Sequence, residues 1–356
     1  MGRGGRLGTA AGVSMRRRRP VRALRRAILT WRKRHEPVAV ILMYHRVTPP
    51  GIDPWKLGVS PAHFQEHLDV IRRLAHPLPL TDIVRDMRAG RVRDRSVAVT
   101  FDDGFADNLH AAKPLLERAG VPATVYVTTG PIGTAAEFWW DELDQLVLMP
   151  KRLPDHLRLS TRAATREWTL GPASGGAWSP GAPDAAQLAR ARFHEEIWAL
   201  LLPLEPDEQA HVLQQLREWS RAGSVPRTTH RVMRAEEIAE LAAGGLVDVG
   251  AHTVTHPWLT RIPATRWREE IEGSRRALEP ILGRMPATFS YPYGAENRSV
   301  CAVVRDAGFG CAVATHQQTL WRGDDPHRLP RFAVRDWDGA EFERRFAGWF
   351  GEHAEP

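Results

Sequence analysis

The chain has 356 residues, 43% hydrophobic and 26% charged, a composition that excludes a wholly disordered chain or a fibre. Its 2 cysteines, Cys301 and Cys311, are too few for a disulfide scaffold or a four-thiolate zinc site. The net charge of +7 belongs to one end: residues 1–36 hold 12 of the 49 Lys and Arg but one of the 42 acids, so the other 320 residues carry 37 bases and 41 acids and give no support for a nucleic-acid-binding face.

Segment 1–36 is rich in Gly and Arg, with four arginines at 16–19. It lacks the apolar core of ~7–15 residues that a secretory signal needs. No stretch of the chain approaches the ~18 apolar residues of a membrane-spanning helix. The segment reads as a disordered tail. A short basic amphipathic helix over 21–31, touching anionic lipid, is the alternative. A cytoplasmic location is expected, with weak membrane-surface contact through the tail and no nucleic-acid partner.

Residues 38–43 form a continuous apolar run, the pattern of a strand buried on both faces. Ser60 and Pro61 open a helix whose apolar face is Phe64, Leu68 and Ile71. Residues 97–101 are the next buried strand. A helix follows over 107–119, closed by Gly120, and then a strand over 123–128. The alternation stops there. Helical patterns fill 132–230, broken by a Gly/Pro/Ser-rich stretch over 171–183, and read as one helical insertion.

Alternation resumes with a helix at 235–243 and strands at 246–250, 287–291, 309–314 and 329–334, with helices at 263–282 and up to 307 between them. About seven strands alternating with helices predict a parallel α/β sheet or barrel. The expected units are a tail 1–36, barrel segments 37–131 and 231–340 around the insertion, and a C-terminal helix or tail 341–356.

Chemistry-bearing residues fall at strand ends, where parallel α/β folds place ligands. The strand at 97–101 ends in Asp102-Asp103-Gly104. Adjacent carboxylates point in different directions, so one can bind a metal while its neighbour stays free as a base. The strand at 246–250 leads into His252 and His256, four apart, which converge on one ion if the segment makes a helical turn. Asp103, His252 and His256 would supply one O and two N ligands, the pattern of a catalytic divalent site. Zinc suits it, and other first-row metals take the same ligands. His45 ends the first strand, and Tyr291-Pro292-Tyr293-Gly294 makes a tight turn at another. Taken singly, each of these is also common turn or core chemistry.

Together, and in this order, Thr100-Phe-Asp-Asp-Gly104, His252-Thr-Val-Thr-His256 and Tyr291-Pro-Tyr-Gly294 resemble the polysaccharide deacetylases, carbohydrate esterase family 4, with the NodB homology domain. The resemblance covers roughly residues 37–337, less the insertion. It implies an α/β fold, a distorted (β/α)7 barrel with a helical insertion, and metal-dependent removal of acetyl from an N-acetylated carbohydrate. It implies a divalent cofactor: Zn2+, or Co2+, Ni2+, Fe2+ or Mn2+. It makes Asp103, His252 and His256 the metal ligands and Asp102 the general base.

The chain departs from the family pattern twice. Most members carry, at the position of Ser290, an arginine that tethers the catalytic aspartate; here Arg331 is the candidate replacement. The C-terminal histidine that many members use as general acid has no convincing match after Val334. His45, in Leu42-Met-Tyr-His45, resembles instead the circularly permuted arrangement of the poly-N-acetylglucosamine deacetylases, whose acid comes from the first strand. A backbone N–H near Tyr293 would hold the oxyanion. Substrate contacts are expected from Tyr293, Pro292, Trp258 and Trp337, whereas Phe138-Trp139-Trp140 are expected to anchor the insertion on the barrel. A sugar O-acetyl esterase and a non-catalytic carbohydrate-binding protein are the competing readings.

Overall fold

The computed structural model describes residues 39–175, 184–222 and 225–351. The tail 1–36 with its alternative helix, residues 176–183 of the Gly/Pro/Ser-rich stretch and residues 352–356 lie outside them. The strands in chain order are β1 Ala39–Tyr44, β2 Arg46–Val47, β3 Gly58–Val59, β4 His76–Pro77, β5 Ser96–Phe101, β6 Ala123–Val127, β7 His156–Ser160, β8 Thr165–Thr169, β9 Val247–Ala251, β10 Thr288–Ser290, β11 Cys311–Val313 and β12 Phe332–Ala333.

Every residue of β1, β5 and β6 is buried, as continuous apolar runs require when both faces are covered. Alternate residues serve different cores. Val40, Leu42 and Tyr44 join the layer packed under helices such as Pro61–Leu74. Ala39 and Ile41 instead join Ala98, Tyr126, Val313 and Leu329 inside the curled sheet. The helix Leu80–Ala89 adds Leu80, Ile83, Val84 and Met87 to that inner cluster.

The main sheet is parallel and runs β11-β10-β9-β6-β5-β1-β12, with β4 added beside β5. Leu329 closes the circle. Its N–H donates to the Ala312 carbonyl at 2.9 Å, and its carbonyl accepts from Ala314 at 2.8 Å. Segment 329–333 therefore lies between β11 and β1, and seven strand positions make a distorted (β/α)7 barrel. Tyr44 pairs with Phe101, and Ala251 pairs with both Val127 and Phe289. That register brings out His45, Asp102 and His252 at one mouth of the barrel, the face where parallel barrels build their sites.

The capping residues act as their chemistry dictates. The Ser60 hydroxyl accepts from the His63 N–H with Pro61 in the first turn, and Gly120 ends its helix at φ 63°. The helix expected over 107–119 starts with a π-helical turn, Asn108–Ala112, before Lys113–Ala119.

The insertion requires a correction. It is not wholly helical: β7 and β8 form an antiparallel hairpin between the helix Trp139–Val147 and the helices Ala185–Leu201 and Pro206–Ser220. The strand period exposes His156 and Arg158 while burying Leu157 and Leu159. Two leucines two apart are too short a signal to stand out among longer helical patterns. The insertion has its own core, in which Leu157 and Leu159 meet Phe193, Ile197, Val212 and Leu216.

His67, on Pro61–Leu74, shows how burial fixes a charge state. Its Nε2 donates to the Trp337 carbonyl at 2.7 Å, its Nδ1 accepts from the Tyr44 hydroxyl at 3.3 Å, and its ring stacks on Phe342 at 4.1 Å. Burial lowers its pKa to about 4, against the pull of the Trp337 carbonyl. The unfolded chain binds a proton near pH 6.5, so it takes up more protons than the folded chain between the two values. This contribution is complete above pH 6.5 and is lost as pH falls through 4, by about 3 kcal/mol for this group. Urea midpoints measured between pH 7 and 4 should fall, and the fall should be shallower in His67→Gln; an equal slope in the variant would refute the assignment.

Candidate active site

Asp102 and Asp103 follow β5 directly. Asp103 adopts a left-handed backbone at φ 73°, which turns its carboxylate away from that of its neighbour. Thr253, His256 and Tyr293, at φ 64°, 59° and 57°, share this costly conformation. A β-branched threonine there is a genuine outlier, and such strain collects where geometry serves a site.

The two carboxylates have different partners. Asp102 is gripped by Arg331, itself fully buried: Nη1 reaches Oδ1 at 2.8 Å and Nη2 reaches Oδ2 at 2.7 Å. The rest of the guanidinium is also satisfied, by the Ala314 carbonyl, the Thr100 hydroxyl and the Ser290 hydroxyl. Ser290, at the position where the resemblance implies an arginine, thus accepts from Arg331 instead. Burial raises the Asp102 pKa, but Arg331, with His252 and His45, outweighs it and holds the carboxyl below its usual range.

Asp103 Oδ1 lies 3.4 Å from His252 Nε2 and 3.3 Å from His256 Nε2. One donor atom from each residue lies within 4.8 Å of the others, and all three residues are buried. The His252 Nδ1 donates to the Ser290 carbonyl at 2.8 Å, which leaves Nε2 as the nitrogen turned towards Asp103 and able to ligate an ion. An oxygen and two imidazole nitrogens, converging in a buried spot, fit a divalent cation. Burial opposes ionisation of Asp103, yet the two imidazoles hold its carboxyl far below normal.

His45 and the two aspartates open onto one cavity of about 220 Å³, with His252, His256, Tyr293 and Thr315. Asn108 fixes the end of the first strand by donating to the His45 carbonyl at 2.9 Å, and Asp107 accepts from the next two residues, Arg46 and Val47. Burial lowers the His45 pKa, and the carboxylates of Asp103 and Asp102 offset part of that.

The expected aromatic contacts divide. The Tyr293 ring lines the cavity, 4.7 Å from the His256 ring. Trp258 does not: it stacks behind Tyr293 at 5.4 Å, with Arg261 on its ring. Pro292 is buried in the turn beneath. Trp337 faces a neighbouring cleft, where Arg345 covers its ring, because the chain turns outward after β12.

Trp139 touches both the barrel core and the insertion core, as an anchor would. Trp140, expected beside it as an anchor, lines the cavity 4.8 Å from His256. Trp55 and Trp198 line it as well, and neither carries a motif that the sequence singles out. Glu270 was also invisible in the sequence. Fully buried on the helix Ala264–Leu282, it accepts the N–H groups of Val254 and Thr255 and the Thr255 hydroxyl, and so pins the loop between the two histidines. Cys301 and Cys311 are free and buried.

Fold and site together define a parallel α/β barrel with a buried Asp/His/His cluster at its mouth that could hold a metal ion. Residues 89–156 and 212–312 match the family profile described as Polysaccharide deacetylase, the break falling inside the insertion. The chain belongs to the polysaccharide deacetylase family. The match includes Asp102, Asp103, His252, His256 and Tyr291–Gly294, while His45 and Arg331 lie outside it.

YxkH of Bacillus subtilis (strain 168), whose name assigns it to the polysaccharide deacetylases, is 24% identical over 137 residues, 36% of this chain and 48% of that protein. The chain thus spans about half the length of this curated relative. Among solved structures, IcaB from Ammonifex degensii matches with a TM-score of 0.55 at 19% identity, covering 89% of this chain and 98% of its own. A de-N-acetylase from Aggregatibacter actinomycetemcomitans matches with a TM-score of 0.52 at 14% identity, covering 87% and 99%. At these identities the likeness is one of fold. Among the described residues no helix is long and apolar enough to cross a membrane.

Proposed function

We propose that the chain is a metal-dependent hydrolase that removes acetyl groups from N-acetylated sugars of a polysaccharide or glycoconjugate. The observation that carries this reading is the pair of neighbouring carboxylates with divided duties, Asp102 clamped by Arg331 and Asp103 gathered with His252 and His256. Asp103, His252 and His256 would hold the ion, with zinc the best fit to this donor set and Co2+, Ni2+, Fe2+ or Mn2+ compatible with it. When bound there, such an ion supplies Lewis acidity that polarises the acetamide carbonyl and makes water acidic near neutral pH.

The chain's own groups do the rest. Asp102, ionised and fixed in orientation by the Arg331 fork, takes the proton of the attacking water. A backbone N–H at the left-handed turn of Tyr293 would donate to the developing oxyanion, a contact worth ~3–4 kcal/mol per donor in other hydrolases. His45 gives its proton to the departing nitrogen. Trp55, Trp140 and Trp198 line the cavity beside these groups and restrict water around the acetyl group. The de-N-acetylase of the same fold supports this reading.

The test is release of acetate and free amine from N-acetylglucosamine oligomers, with and without a chelator. Chelation should abolish it, and added Zn2+ or Co2+ should restore it. His45→Ala should lose about 10²-fold or more on the N-acetyl substrate and markedly less on an O-acetyl sugar, because an alcohol departs more readily than an amine without a proton. Equal losses on both would refute the acid role, and turnover confined to O-acetyl sugars would establish an esterase.

A further inference from the structure

The loop 252–256, which carries both candidate histidine ligands, is strained twice, with Thr253 at φ 64° and His256 at φ 59°. Residues in that state persist only where their surroundings over-determine them. On one side the loop is held by the residues just after β6. The Thr129 N–H donates to the Thr253 carbonyl at 3.1 Å, and the Gly130 N–H donates to the Val254 carbonyl at 2.8 Å. On the other side Glu270 accepts the N–H groups of Val254 and Thr255 at 3.0 and 2.9 Å and the Thr255 hydroxyl at 2.7 Å.

Glu270 is 1% exposed, and a cation stands beside it. Arg266, four residues earlier on the same helix, brings Nη2 to 3.5 Å from Glu270 Oε1. Through Nη1 the same guanidinium donates to Glu205, and its Nε lies 3.8 Å from the exposed Glu269. Glu205 belongs to the insertion, where it caps the start of the helix Pro206–Ser220. Arg266 therefore joins two bodies: the carboxylate that holds the histidine loop and a carboxylate of the insertion. The insertion also reaches the loop directly, since its turn 202–206 shares one crevice with Thr255, His256, Pro257 and Trp258. Residues 157–211, Glu205 among them, fall outside the family profile, whereas Arg266 and Glu270 fall inside it.

A solvent-exposed arginine–carboxylate pair contributes little by itself. This one differs, because its second arm meets a carboxylate withdrawn from water, where charges interact more strongly. That carboxylate in turn makes three bonds to the strained loop. If the insertion served only to wall the cavity, the metal centre would be indifferent to Glu205.

We infer that the insertion braces the loop of the metal centre: Glu205 fixes Arg266, Arg266 orients Glu270, and Glu270 keeps His252 and His256 at the separation an ion needs. All three are positioning residues. The inference rests on the deacetylase reading for the ion, and it gives the insertion a task, which is to set the affinity of the centre for its metal.

The experiment measures Zn2+ affinity of the full chain by competition with a chromophoric chelator, beside the Tm of the metal-free protein. Loss of a group that orients a metal ligand costs roughly 10–100-fold in affinity. Glu270→Gln keeps the shape and loses the charge, and should weaken Zn2+ binding by about tenfold or more. Arg266→Gln and Glu205→Gln act further out and should each weaken it by about three- to tenfold. Their Tm should stay level, because both side chains are 31% exposed. The double variant of Glu205 and Arg266 should bind no more weakly than Arg266→Gln alone, since the first residue acts through the second. The inference is overturned if either outer variant binds Zn2+ like the parent, or if their effects add in full; these two variants decide the matter should Glu270→Gln not fold. A parent chain that binds no Zn2+ sinks the deacetylase reading instead. Hydrogen exchange then decides the brace: faster exchange of the amides of 253–256 in both outer variants upholds it, and unchanged exchange overturns it.

Discussion

Asp102→Asn should lower acetate release by about 10²–10⁴-fold, the usual worth of a positioned base, while metal stoichiometry stays near that of the parent protein. The amide keeps the size of the carboxylate and one acceptor for Arg331, but it cannot take a proton from water. The contrast with its neighbour is the diagnostic part. Asp103→Ala removes the one anionic member of the O,N,N set and leaves His252 and His256 without the carboxylate they face at 3.4 and 3.3 Å. Metal content and turnover should disappear together in that variant. Metal analysis by mass spectrometry alongside acetate release separates the two cases. Loss of metal in Asp102→Asn, or retention of full metal in Asp103→Ala, would mean that the two carboxylates have been assigned the wrong way round.

Arg331→Met should be the most damaging single substitution for the fold and the site at once. Arg331 is fully buried, and its two parallel bonds to Asp102 are the main counterweight to burial of that carboxylate. Removing one partner of a buried ion pair costs about 3–5 kcal/mol, because the remaining charge is left without compensation. That is a large share of the ~5–15 kcal/mol by which domains are stable. Urea unfolding should show the loss directly. Without the guanidinium, only His252 and His45 remain to oppose burial, and the Asp102 pKa rises, so any residual activity should shift to higher pH, where the base is again ionised. Arg331→Lys keeps the charge but not the fork. It should recover part of the stability and less of the activity. A Met variant with parental stability and an unmoved pH profile would show that the clamp is incidental.

The readability of this molecule varied with the range of the interactions involved. The strands were legible because a segment buried on both faces must be apolar at every position, a demand met by six consecutive buried residues in β1 and again in β5. The Asp102-Asp103 pair and the His252–His256 spacing were legible for a similar reason. Each lies within a few residues of a strand end, and a parallel barrel brings all its strand ends to one mouth. Arg331 was a candidate because the family resemblance calls for an arginine on the catalytic aspartate, Ser290 stands at its usual position, and Arg331 lies near a late strand end. Its bonds to Asp102 span 229 positions of sequence, and no local pattern encodes them.

Closure of the barrel through Leu329, the β7–β8 hairpin, Trp55, Trp140 and Trp198 around one cavity, Glu270 under the histidine loop and the bond from Arg266 to Glu205 were decided by tertiary structure alone. Local periodicity records which face of an element is buried, and that much the chain itself determined. Which distant side chains then meet on that face depends on how the sheet curls and where the insertion docks, and these follow from the packing of the whole chain.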